Sequence, residues 1–193
     1  MSVAEHEAAP GAVAGVVLES CLADIVEVSA PRGCALDLAR VADSWGARLA
    51  SHGHATASPE CITICVRPER WLLLATLAPP GATAQLWHRR CAPAGVVIDL
   101  SSAWSVLRLT GAATREVLAR GCRLDLDPGV FRDGHAASTT IAQVTVIVAA
   151  LGAGFLLLTP ATTSRDFCEW LTIAARTFGL SRRANCTLRT GTV

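Results

Sequence analysis

The chain of 193 residues contains no lysine and no tyrosine, a single methionine and only 5% aromatic residues. All 17 basic residues are therefore arginine, which excludes Schiff-base chemistry and a P-loop lysine from this chain. An alanine- and arginine-rich bias of this kind is what a GC-rich genome imposes, so the arginines are not read as individually selected. Charge is scarce too, at 17% of residues against roughly a quarter in an ordinary soluble domain. The formal net charge of +1 supplies no basic field for nucleic acid or anionic lipid. No apolar run reaches the roughly 20 residues of a bilayer-spanning helix. The longest, residues 144–158, is broken by Thr145, Gly152 and Gly154 and fits two strands. Residues 1–16 lack a positive start and contain Glu5, Glu7 and Pro10, so a loose N-terminal tail is expected rather than a signal peptide. The expected localisation is cytoplasmic.

What the chain has in excess is apolar surface. Hydrophobic residues make up 51% and the mean hydropathy is +0.41, so part of that surface is expected outside the core, where a partner chain covers it. A chain of this length buries a sizeable core without staples, and the eight cysteines are expected as thiols in a reducing compartment.

Local signals agree most closely over residues 96–131. Ser105, Leu107 and Leu109 alternate with Val106, Arg108 and Thr110, the period of a half-buried strand. A turn at Thr110-Gly111, a short helix over 112–120 and a turn-rich exit around Pro128-Gly129 follow, with Phe131 available to pin the exit to the core. Upstream, residues 23–29 alternate as a strand. Leu36, Leu38, Val41, Trp45 and Leu49 predict a helix over 34–49 with one apolar stripe. Residues 50–59 read as a polar loop, 61–66 and 71–77 as a hairpin, and 82–91 as a helix. Strands over 138–149 and 154–158 and a helix over 162–178 repeat that order. Trp71-Leu72-Leu73-Leu74 corresponds to Phe155-Leu156-Leu157-Leu158, and Trp87 to Trp170. The expected fold class is α+β, with two β-α-β-β-α halves, residues 17–95 and 96–180, pairing into one pseudo-symmetric body with antiparallel sheets; residues 181–193 are expected as a C-terminal tail.

Candidate chemistry is sparse. The cysteines, at 21, 34, 61, 65, 91, 122, 168 and 186, form no C-x-x-C pair; Cys61 and Cys65 face one way on a strand, and inert buried thiols are favoured over a metal site. His52-Gly53-His54 offers a chelating pair, but no third ligand follows at useful spacing, which favours a solvated loop. Asp125 and Asp127 are weighed as an acid-base pair against a turn capping its own amides, and the turn is favoured. Ser101 lacks a G-x-S-x-G elbow, and no G-x-G-x-x-G follows a strand. Trp71, Trp87, Trp104 and Trp170 suit either the core or anchors in a protein interface. No catalytic, cofactor-binding or metal-binding residue is assigned.

Taken together, I-D-L-S at 98–101, V-L-R-L-T-G at 106–111, A-R-G-C-R-L-D-L-D-P at 119–128, F-x-x-G at 131–134, I-A-Q-V-T-V at 141–146 and F-L-L-L-T-P at 155–160 resemble the gamma subunit of heterotetrameric sarcosine oxidase. The first half agrees through R-P-E-R-W-L-L-L at 67–74. That family is related to the folate-binding domain of the glycine-cleavage aminomethyltransferase, whose duplicated arrangement matches the repeat. The resemblance implies an αβγδ complex that oxidises an N-methyl amino acid such as sarcosine, with FAD, covalent FMN and NAD, passing the one-carbon unit to tetrahydrofolate. It places those cofactors, the zinc and the substrate site on other subunits, and makes this chain a support for the alpha subunit. Where the aminomethyltransferase carries an aspartate that works on folate, this chain has Ile141-Ala142-Gln143-Val144. Where relatives have D-L-S-H, it has Ser102 for the histidine. Absence of a K-G-C-Y-x-G-Q-E segment argues against the iron-sulfur repair branch.

The expectation is thus a non-catalytic subunit that buries an apolar face, including Trp104 and Phe131, against the alpha subunit of a flavin-dependent amine oxidase. The rivals are a stand-alone folate-binding or one-carbon transfer protein, and a gamma subunit of a complex acting on a different secondary or tertiary amine.

Overall fold

A single 14-residue strand, β1 (Val16–Ser29), is the spine of the computed structural model, which describes residues 15–188. Its first half pairs with β6 (Trp104–Thr110) on one side, from Val17 against Thr110 to Cys21 against Val106. Its second half pairs with β4 (Arg70–Thr76), from Ala23 against Thr76 to Ser29 against Arg70. From β4 the chain order runs outward through β3 (Ile62–Arg67) to β2 (His54–Ala57), and from β6 through β9 (Gly154–Pro160) and β8 (Val144–Leu151) to β7 (Ala136–Ile141), giving β2-β3-β4-β1-β6-β9-β8-β7. The path reads alike from either end about the β1/β6 pair. It also closes on itself: Ala55 N–H donates to Gly134 C=O and Ala136 N–H to Gly53 C=O, both at 2.8 Å, around a bridge between His54 and His135. The result is a near-barrel. Closure leaves fewer exposed edges for other chains to pair with.

Helices α1 (Ala35–Ser44) and α2 (Ala82–Cys91) cover the outer face of the first sheet, and α3 (Thr114–Ala119) and α4 (Ser164–Ala175) that of the second. This layering explains the uninterrupted apolar runs, because strands buried on both faces have no polar side to alternate with. Trp71 and Leu73 face the first helix pair while Leu72 and Leu74 face the barrel interior. Phe155 and Leu157 face the second pair, and Leu156 and Leu158 share that same interior. The repeated tetrapeptide therefore fills equivalent places, and each of its fully buried leucines contributes about 1.5–3 kcal/mol relative to exposure.

Several elements differ from the sequence pattern. Helix α1 is shorter than 34–49, and its buried residues are Leu38 and Ala42; Leu36 is 75% exposed and Trp45 50%. Trp45 lies beyond the helix, where the Arg90 guanidinium sits over its ring at 4.7 Å and also over that of Trp87 at 5.7 Å. The expected loop at 50–59 contains β2. The segment 138–149 is a hairpin rather than one strand: Ala142 and Gln143 take φ of 49° and 68° and reverse the chain between β7 and β8. Each repeat unit thus carries one strand more than alternation predicts.

The polar segment from Ser181 forms most of β10 (Leu180–Thr187), parallel to β1, with Arg183 paired to Glu19 at 3.5 Å. An edge strand held by backbone bonds needs no apolar alternation, so its arginines disguised it. The tails expected at 1–16 and 181–193 otherwise fall outside the described residues, at 1–14 and 189–193. Among the described residues no helix is long and apolar enough to cross a membrane.

Candidate functional site

One end of the barrel opens into a pocket of about 100 Å³. The β-alternation that sends Leu72 inward sends Arg70 and Glu27 to the same side, where their side chains pair at 3.1 Å across the rim. Ile64, Leu72, Leu100, Trp104 and Ile147 form its apolar wall, and Ser138 and Thr145 from the β7–β8 hairpin add hydroxyls. The volume is below the roughly 300–1,000 Å³ of pockets that enclose drug-sized ligands. Glu27 pairs with Arg70, and Arg67 adds a second guanidinium to the lining, leaving a small amphipathic recess with one more positive than negative group.

The apolar wall continues onto the surface through β5 (Val96–Asp99), which pairs antiparallel with the end of β1. Ile98 stands opposite Glu27 and Val96 opposite Ser29, so both share the face of the pocket rim, while Val97 turns to the first helix pair's core. Val96 is 55% exposed and Ile98 48%. Trp104, half-buried at the start of β6, lines the recess beside Leu100. The sequence pattern singled out Trp104 here but missed Val96 and Ile98. The signal was present in the run Val96-Val97-Ile98, but three residues are too few to show a period.

Phe131, read from the sequence both as a pin to the core and, with Trp104, as part of an exposed face, is only 7% exposed, which selects the core. Its ring stacks on Phe155 at 6.3 Å in the second-half core. Arg115 of α3 donates to the carbonyls of Leu126 and Phe131 and lies over Phe155 at 4.9 Å, drawing the 121–135 loop inward. Burial of the loop backbone against a guanidinium explains why an apolar residue in a turn-rich exit is core.

The remaining candidates are held in local structure. Ser101 Oγ accepts from Ile25 N–H at 3.0 Å and donates to Asp99 Oδ1 at 2.7 Å, so its hydroxyl splices β1 to the β5–β6 link. The backbone N–H and then the hydroxyl of Ser101 hold the Asp99 carboxyl below the usual range. Asp125 accepts from Asp127 N–H at 2.9 Å and Asp127 from Gly129 N–H at 2.7 Å, the amide-capping turn. Cys61 and Cys65 lie in one apolar cluster with Cys91. Burial pushes the Cys61 and Cys91 thiols up to about 11 and raises that of Cys65. All eight cysteines are free. Trp71 and Trp87 are core, the former donating to Ala50 C=O at 2.8 Å; Trp170 stacks on Phe167 at 5.9 Å. His52 and His54 do not converge on a shared point, since His54 turns instead to His135 across the closing seam.

No family model matches the chain. It is 33% identical over 187 residues to the sarcosine oxidase subunit gamma of Corynebacterium sp. (strain P-1), spanning 92% of this chain and 90% of that one. It is 34% identical over 156 residues to the subunit of the same name from Arthrobacter sp., spanning 76% and 75%. Among solved structures, heterotetrameric sarcosine oxidase from Corynebacterium sp. U-96 in complex with pyrrole 2-carboxylate superposes with a TM-score of 0.75, at 25% identity over 86% of this chain and 87% of that one. The glycine cleavage system aminomethyltransferase T from Bartonella henselae shares the fold, with a TM-score of 0.64 at 19% identity over 88% of this chain and 48% of that one.

Proposed function

The chain belongs to the sarcosine oxidase gamma-subunit family, and from that premise we propose that it is the non-catalytic gamma subunit of a heterotetrameric amine-oxidising complex in the cytoplasm. Its direct partner is the alpha subunit, with beta and delta completing the assembly. FAD, FMN, NAD and tetrahydrofolate work on the other chains, and the amine oxidised, sarcosine or another secondary or tertiary N-methyl amine, is selected there.

The observation that carries the reading is the exposed apolar pair Val96 and Ile98 on the short strand β5, on the face where Glu27 lines the recess together with Trp104. Apolar side chains on a short edge strand are costly in water and are covered in an assembly. Aromatic residues on such a face act as anchors. The hairpin turn at Ala142-Gln143 carries no carboxylate.

Co-expression with the alpha subunit tests the reading. The native chain is expected to co-purify in equal stoichiometry, and Ile98→Asp to lose the partner while keeping its circular dichroism spectrum. A native chain that stays a monodisperse monomer beside the alpha subunit overturns it. The shared aminomethyltransferase fold keeps one rival, a stand-alone folate binder, and titration of the purified chain with tetrahydrofolate separates the two: micromolar binding by the chain alone selects the rival.

A further inference from the structure

The seam that closes the barrel carries two copies of one tripeptide, Gly53-His54-Ala55 and Gly134-His135-Ala136, one from each half. Both glycines take positive φ, 77° and 81°, a region that side-chain-bearing residues seldom enter. The bonds from Ala55 N–H to Gly134 C=O and from Ala136 N–H to Gly53 C=O flank the histidines. His54 and His135 are therefore a non-hydrogen-bonded antiparallel pair, the register in which opposed side chains come closest. Their ring centroids lie 5.1 Å apart with planes at 78°. Ala55 and Ala136 point into the central core, so alternation turns both imidazoles outward. His54 is exposed and His135 half-buried.

The tautomer of His54 follows from its partner. Its Nδ1 lies 3.0 Å from the carbonyl oxygen of His52, and a carbonyl can only accept, so in the neutral ring Nδ1 carries the proton and Nε2 the lone pair. A backbone carbonyl on one ring nitrogen is the support that metal-ligating histidines use to orient the other. On the far side, the Phe131 ring meets His135 edge-on at 5.8 Å and limits its rotation.

We propose that His54 and His135 form a two-imidazole site for a divalent transition-metal ion of the nickel, copper and zinc class, to which imidazole ligands are suited. The fold replaces the adjacent His52, which the sequence offers as His54's partner, with a histidine from the other half. Asp133, the nearest carboxylate in sequence, is engaged by Gly152 N–H at 2.8 Å, and among the described residues no group of three or more histidine, cysteine or acidic side chains converges. Water fills the remaining coordination positions. Because the two nitrogens come from opposite sides of the seam, the ion binds the closed barrel and not an opened one, and so stabilises closure by mass action.

Nickel ion titrated calorimetrically into the untagged full-length chain tests this, with thermal unfolding followed in parallel. The expected result is one ion per chain and a rise in the unfolding midpoint. His54→Gln and His135→Gln are each expected to weaken binding by about tenfold or more and remove the midpoint shift, since half of the protein ligands are gone. His88→Gln, on the exposed side of α2, leaves both unchanged. Electron paramagnetic resonance of the native chain with copper(II) provides a readout that needs no variant, namely coupling to two imidazole nitrogens. No binding at millimolar nickel, undiminished binding in either seam variant, or copper coupled to fewer than two imidazoles overturns the proposal.

Discussion

Thr83 donates a hydrogen bond of 2.5 Å to the buried carboxylate of Asp24, across 59 residues of sequence. Asp24 stands where β1 passes from its pairing with β6 to its pairing with β4, and Thr83 lies in the first turn of α2. That helix begins at Gly81 with no side-chain cap, so the carboxylate places negative charge at the end of the helix that favours it. Thr83→Val keeps the shape but leaves the carboxylate without this donor, and is expected to cost about 1–3 kcal/mol. Urea unfolding of the isolated chain reads this as a lower midpoint at unchanged slope; an unchanged midpoint would show that the contact contributes nothing.

Phe131 and Trp104 separate stability from assembly. Phe131→Ala empties a site in the second-half core and is expected to destabilise the isolated chain by about 3–5 kcal/mol. Trp104→Ala, at a half-buried rim position, should cost the isolated chain less and instead weaken co-purification with the alpha subunit. Denaturation midpoints and pull-down yields measured on both variants check the crossing of the two effects.

The β7–β8 turn holds Ala142 and Gln143 in the left-handed region, at about 1–2 kcal/mol per residue of unfavourable backbone conformation. Replacing the pair by Asn-Gly, the sequence preferred in two-residue hairpins with this geometry, is expected to stabilise the chain by about 1 kcal/mol. Loss of stability on that change, measured by thermal unfolding, would show that the Ala142 side chain makes contacts that outweigh the strain.

Burial raises the thiols of Cys21, Cys61 and Cys91 from an ordinary 9.0 to about 11, with nearby Glu19 adding to the effect at Cys21. The folded state therefore keeps three protons that the unfolded chain begins to release near pH 9. Stability from this source is complete below pH 9 and declines as pH rises through about 11. Unfolding midpoints measured from pH 8 to 11 should fall progressively, and replacing the three cysteines by alanine or serine should flatten the decline even where it lowers overall stability.

The sequence by itself determined the elements whose burial has a period. The runs in β3, β4, β8 and β9 are apolar because they are covered on both faces, and the Trp71 and Phe155 tetrapeptides expose the duplication because each copy lies between its own helix-side core and the shared barrel interior. Only the tertiary structure decided the parts held by backbone pairing. The first half of β1, the edge strands β5 and β10 and the short β2 draw their order from hydrogen bonds to a neighbour, which leave no mark on side-chain polarity. It also decided that Phe131 is core, through Arg115, and that His54 meets His135 rather than His52. Such relationships depend on register between distant segments, and register is set by closure of the whole sheet, not by any window of local sequence.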